Sequence, residues 1–199
     1  MPINPSKDIP GYTYGTTAAA TSPLSLDELD LLKRTITFTA DDESQLRLAG
    51  TILVDQVDAF LDHWYAFQAT LPHLGYYSTE PDGLPNLPYR AAARARFRQW
   101  VLDVCERPYD RTWLDYQYEI GLRHTRIKKN QTDAAESPPH IGLRYLLAQI
   151  YPLGAAIRPF LAQGGHPDDV VDRMHQAWTK ALLLHVVLWS QPYLKEGDF

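Results

Sequence analysis

Nine consecutive residues, Ala181-Leu182-Leu183-Leu184-His185-Val186-Val187-Leu188-Trp189, limit what this chain can become. Wound at about 100° per residue, they give a helix that is apolar on nearly every side. Such a helix has to be surrounded. At nine residues the run is too short to cross a bilayer, and it carries an imidazole, so protein must do the surrounding. A second stretch is almost as apolar, with Tyr145, Leu146, Leu147, Ala148, Ile150 and Tyr151 together. A chain of 199 residues suggests a single domain, whose interior has limited room for two such helices. The economical arrangement is a two-fold homodimer that covers the outer faces of the last two helices. The alternative is a monomer with both helices central.

The rest of the chain also reads as helix. Ser25-Leu26-Asp27-Glu28 is a capping-box pattern, followed by Leu29, Leu32 and Ile36 at helical spacing. Thr39 or Asp41 can cap a long second segment, in which Leu46, Ala49, Leu53, Val57, Phe60, Leu61 and Trp64 recur every three or four residues. A bend is expected near Gln56 and a stop at Leu71-Pro72. A short helical turn is expected over 73–77, then a loop rich in Pro and Gly, then a helix over Tyr89 to Glu106. That helix has Arg90, Arg94 and Arg98 along an outer face. Asp110 caps the next helix, which should fade at Lys129-Asn130. A helix over His140 to Gln163 contains Pro152 and Pro159 and should kink or break. Pro167 opens the last helix and Pro192 closes it. No segment alternates like a strand, so the fold class is all-α. Residues 1–23 read as an irregular loop laid over the body through Ile9, Tyr12 and Tyr14, with the main domain over 24–199.

Composition removes several function classes. The net charge of −5 argues against a dedicated nucleic-acid binder. The only basic run, Arg126-Ile127-Lys128-Lys129, reads as a solvated helix end. The single cysteine, Cys105, allows neither an internal disulfide nor a Cys-x-x-Cys-His haem attachment, and it is compatible with a reducing compartment. The opening residues lack the apolar core of a secretory signal. A soluble cytoplasmic protein, with no membrane partner, is expected.

The stretch Tyr116-Gln117-Tyr118-Glu119-Ile120-Gly121-Leu122-Arg123-His124 carries the chemistry. As a helix it places Trp113, Gln117, Ile120, Gly121 and His124 along one side. An imidazole on an apolar face, beside a glycine that lets a flat ring approach, suits haem held through its iron. The other reading is a hydrogen-bonded core histidine.

These residues resemble the protoglobins, single-domain haem globins related to globin-coupled sensors. The resemblance runs through Ile9-Pro10-Gly11-Tyr12-Thr13-Tyr14-Gly15, Asp55-Gln56-Val57, Trp64-Tyr65, Tyr76-Tyr77 and Arg94-Ala95-Arg96-Phe97. It continues through Trp100-Val101-Leu102-Asp103, the long block from Trp113 to His124, Lys128 to Asp133, Arg144-Tyr145-Leu146, Ile150-Tyr151-Pro152 and Lys195 to Phe199. It implies a globin fold, a three-over-three helical sandwich, with an extra N-terminal helix and a preceding loop that helps bury the haem. His124 would match the proximal iron ligand. Tyr65 and Trp64 would match the distal pair, Phe97 the distal aromatic above the ring, and Leu153 and Leu146 the pocket wall. Ala93, Ile120 and Gly121 would complete the cofactor site, and Arg96 is the candidate for the propionates. At Gln149 the chain departs from the family, which has an aromatic there. Its amide either donates to bound ligand or turns toward Tyr65 or a carbonyl. His185 reads as a core or interface imidazole.

The expected function is reversible binding of a diatomic gas (O₂, CO or NO) by a dimeric protein with non-covalent haem b and a five-coordinate ferrous iron. Sensing, scavenging and storage are all compatible with this. A haem enzyme turning over NO or peroxide is the first alternative, and a cofactor-free helical interaction protein is the second.

Overall fold

The computed structural model describes residues 9–195 and 197–199. Pro2 and Pro5 of the opening loop, and Glu196 of the closing motif, lie outside the described residues. Among the described residues nine α-helices follow in order: α1 (Leu26–Thr35), α2 (Ala40–Leu53), α3 (Val57–Ala69), α4 (Pro72–Gly75), α5 (Leu87–Glu106), α6 (Arg111–Leu122), α7 (Leu143–Ala148), α8 (Ile150–Ala162) and α9 (Asp168–Ser190). No strand occurs among the described residues, apart from an isolated bridge between Thr79 and Pro85.

Local chemistry sets the boundaries. Ser25 and Glu28 form the expected reciprocal cap on α1, and Asp110 Oδ1 accepts from the Trp113 N–H at 2.9 Å to start α6. The long second segment divides at residues 54–56, giving α2 and α3. Helix α5 starts at Leu87 rather than at Tyr89, because Asn86 Oδ1 caps the Tyr89 N–H at 2.9 Å and Pro88 fits the first turn. The segment with two prolines breaks at Gln149, which is both the end of α7 and the start of α8. Pro152 is the cause: it has no N–H to give to Ala148, and its ring crowds that carbonyl.

Helix α6 stops at Leu122, seven residues before the expected end. The His124 N–H bonds to the Gly121 carbonyl, one residue short of the helical partner, while the Ile120 carbonyl takes the imidazole instead. The His124 carbonyl is then claimed by the Ile141 N–H at 2.9 Å and the Tyr193 hydroxyl at 3.2 Å. Turns occupy the chain from there to Ala134.

The closest helix pairs are α8 with α9, α2 with α9, α2 with α5, and α6 with α9. Helix α3 packs on α5 and α8. One layer of α2, α5 and α6 thus lies over another of α3, α8 and α9, with α1 preceding both. The main core lies where α2, α5, α8 and α9 meet, around Leu53, Phe60, Val101, Ile157 and Trp178. Helix α9 is hidden more completely within one chain than its composition suggested: of its large apolar residues only Leu183, at 38%, is exposed. On α7 and α8, Leu147 and Tyr151 remain exposed, Tyr151 at 83%.

The segment before α1 is tied to the body by polar contacts. Tyr12 donates to Asp103 at 2.5 Å, and Arg123 donates to the Gly11 carbonyl at 2.5 Å and to Thr13 Oγ1 at 2.8 Å. Gly11 has φ +74°, and a Cβ there would meet Thr132 Cγ2 at 2.6 Å and Arg96 Nη1 at 2.8 Å, so only glycine fits.

Candidate functional site

Where the two layers part, α3, α5, the end of α6 and the α7–α8 break enclose a cavity of about 1230 Å³. That exceeds the ~300–1,000 Å³ of ordinary small-ligand pockets. Ten of the eleven residues expected at the cofactor site line it: Trp64, Tyr65, Ala93, Arg96, Phe97, Ile120, His124, Leu146, Gln149 and Leu153.

His124 borders the cavity from just past the end of α6. Its Nδ1 lies 2.8 Å from the Ile120 carbonyl. A carbonyl only accepts, so Nδ1 carries the proton and the Nε2 lone pair is left free. No partner for Nε2 exists among the described residues. Burial lowers the pKa of this imidazole, which keeps it neutral and able to bind a metal. The Trp189 indole stacks on the ring at 5.6 Å and 19°, and its Nε1–H is anchored on Gln117 Oε1 at 3.0 Å. Sequence reading put Trp189 only in the apolar run of the last helix and not at this site, although Gln117 shares the His124 face of α6.

Aromatic and polar groups form the facing walls. Phe97 stacks on Trp100 at 5.4 Å, and Tyr65 meets Phe97 edge-on at 6.3 Å. Desolvation by burial raises the Tyr65 pKa to about 12, so its hydroxyl keeps its proton and can donate. Gln149 turns to neither Tyr65 nor a carbonyl. Its Oε1 accepts from Gln68 Nε2 at 2.9 Å, which leaves its own NH₂ group unspent.

Two of the expected site residues, Gly121 and Arg96, have other contacts in the structure, and the readings of Lys129 and Arg90 need correction. Gly121 does not line the cavity. A Cβ on it would meet the Trp189 carbonyl oxygen at 3.0 Å and the Trp189 Cα at 3.1 Å, so the missing side chain serves close packing of α6 on α9 rather than approach of a flat ring. Arg96 lines the cavity, but its guanidinium is engaged: it is forked on Asp133 at 2.8 and 2.6 Å and donates to the Pro10 carbonyl at 2.8 Å. Lys129 is not a solvated helix end but is 2% exposed and part of the cavity wall. Arg90 belongs to that wall too, as does Arg94 with its partner Asp62, whereas Arg98 binds Asp58 outside.

His185 lies 1% exposed among Trp100, Trp113 and Trp189, with Nδ1 2.6 Å from the Ala181 carbonyl. Burial lowers its pKa to about 4. Among the described residues no group of three or more His, Cys, Asp and Glu side chains could hold a metal ion, and no helix is long and apolar enough to cross a membrane.

Two helical layers around a large, mostly apolar cavity, with the free Nε2 of His124 on its wall, define a haem globin. The Protoglobin family model matches residues 25–199, nearly the whole chain, so the chain belongs to the protoglobin family. No curated protein is significantly similar to it. Membership brings the family's haem cofactor and its binding of gas ligands, and the cavity fits that cofactor in volume, in apolar character and in the free Nε2 of His124.

Proposed function

We propose that this protein binds haem b non-covalently through His124 Nε2 and, so loaded, would reversibly take up a diatomic gas, O₂, CO or NO. One observation carries the reading: His124 spends its Nδ1 proton on the Ile120 carbonyl and offers a free Nε2 beside the cavity. The hydrogen bond fixes both tautomer and ring angle and raises the basicity of Nε2. Stacked Trp189 restrains rotation of the ring. When bound, haem supplies a ferrous iron with one coordination position open to gas.

Each wall residue has a part. Trp64 and Phe97 add apolar surface that excludes water. Tyr65, held protonated, and Gln149, with its NH₂ group unspent, are the donors available to a polar ligand, and they favour O₂ over the less polar CO. The Gln68–Gln149 bond keeps the Gln149 amide oriented. Sensing, scavenging and storage all fit such a site. Two subunits pairing through α8 and α9 would cover Tyr151 and Leu183. A lone buried Cys105 accords with a reducing, cytoplasmic setting.

The test is optical. Haem-loaded, reduced protein should shift its spectrum on adding CO or O₂ and return when the gas is removed. A six-coordinate ferrous spectrum that neither gas changes would contradict the proposal.

A further inference from the structure

Five cationic side chains border the cavity: Arg90, Arg94, Arg96, Arg123 and Lys129. Three have carboxylate partners: Arg94 binds Asp62 at 2.9 Å, Arg96 binds Asp133 at 2.6 Å, and Arg123 binds Glu119 at 2.9 Å. Arg90 and Lys129 have no carboxylate within 4.0 Å among the described residues. Both hang instead on one turn, Gly75 to Ser78. Arg90 Nε donates to Ser78 Oγ at 2.9 Å and to the Ser78 carbonyl at 3.3 Å, and its Nη2 donates to the Gly75 carbonyl at 3.4 Å. Lys129 Nζ donates to the Tyr77 carbonyl at 2.8 Å and more weakly to Asn130 Oδ1 at 3.4 Å, with the Tyr89 ring 5.0 Å away.

Two cations on a single turn, one of them almost wholly buried, are an electrostatic cost that carbonyl dipoles offset only in part. Buried charges are normally paired, so two cations on a ligand cavity with no ion-paired carboxylate, Asp133 being committed to Arg96 and acting on Lys129 only from beyond 4.0 Å, mark a place for two negative groups. We infer that Arg90 and Lys129, steadied by the Gly75–Ser78 turn, bind the two propionate carboxylates of the haem, the role expected of Arg96. This rests on the haem reading of the cavity and adds to it how the ring is oriented. Burial pushes the Lys129 amine down to about 8, as it would in a site whose counter-ion arrives with the ligand.

The experiment measures ferric haem loss to an apoprotein scavenger, using haem and its uncharged dimethyl ester in parallel. The wild-type protein should hold haem more tightly than the ester. Lys129→Met and Arg90→Met should each speed haem loss about tenfold, the size expected for a lost charge-assisted hydrogen bond. They should leave ester loss almost unchanged, and Lys129→Arg should stay near wild type. The haem-free Lys129→Met protein should melt no lower than wild type, because it sheds an uncompensated charge; a general folding defect would lower both melting and retention. Equal retention of haem and ester by the wild-type protein would overturn the inference, as would undiminished preference for haem in the double variant. Failure to take up either compound would instead count against the haem reading itself.

Discussion

A histidine has two ring nitrogens, and the backbone decides which is free. His124 and His185 both give Nδ1–H to the carbonyl four residues back, at 2.8 and 2.6 Å. What separates them is surroundings. Both border the cavity, His124 from just past the end of α6 and His185 from mid-helix among three indoles. In sequence both were lone imidazoles on greasy helices, and only the block around His124 set them apart. Held at a pKa of about 4 against an ordinary 6.5, His185 refuses a proton that the unfolded chain accepts between those values. The unfolded state therefore binds more protons there, and stability must fall as pH drops from about 6.5 to 4, by up to about 3 kcal/mol. Urea unfolding of haem-free protein at pH 7 and pH 4.5 should show that loss, and His185→Gln should reduce it. An identical loss in the variant would mean that this imidazole is not held neutral.

Helices were legible where one residue dictates the backbone. Ser25, Asp110, Pro152 and Pro167 mark boundaries because a cap or a missing N–H acts locally. What stayed hidden depends on distant partners. The end of α6 is set by Ile141 and Tyr193, which reach the His124 carbonyl from later in the chain. Arg90 looked like its neighbours at spacing four until Ser78 folded over it. Gly121 stood out in sequence as a gap on the His124 face of α6, and in the structure Trp189 and Pro192 close on that gap. That contact gives a prediction with a sign. Gly121→Ala should gain about 1 kcal/mol of helix propensity but lose more by pressing on the Trp189 backbone, which cannot rotate aside. The expected net effect in chemical denaturation is a loss of about 1–2 kcal/mol. A variant more stable than wild type would show that the two helices can separate freely.

At the scale of the whole molecule, the two-layer packing and the opening segment act together. Arg123, adjacent to His124, clamps Gly11 and Thr13, so the loop before α1 is fastened beside the imidazole. The cavity wall was largely readable in advance through the family resemblance; its charged rim was not, because Lys129 and Arg90 reveal their burial only in three dimensions. The proposed pairing of subunits would rest on a smaller apolar surface than α9 first suggested, with Leu147, Tyr151 and Leu183 as its exposed members. Sedimentation at micromolar concentration should give twice the 22.7 kDa of one chain, and Tyr151→Arg should shift it toward the single-chain mass. A wild-type monomer would remove the dimer from the account. The claim on which most depends is the bond from His124 Nε2 to iron. Its most direct test is the ferrous spectrum of haem-loaded His124→Gly, recorded with and without added imidazole. The five-coordinate signature should vanish in the variant and return when free imidazole fills the gap; a variant that keeps the wild-type spectrum, indifferent to imidazole, would place the iron on another residue.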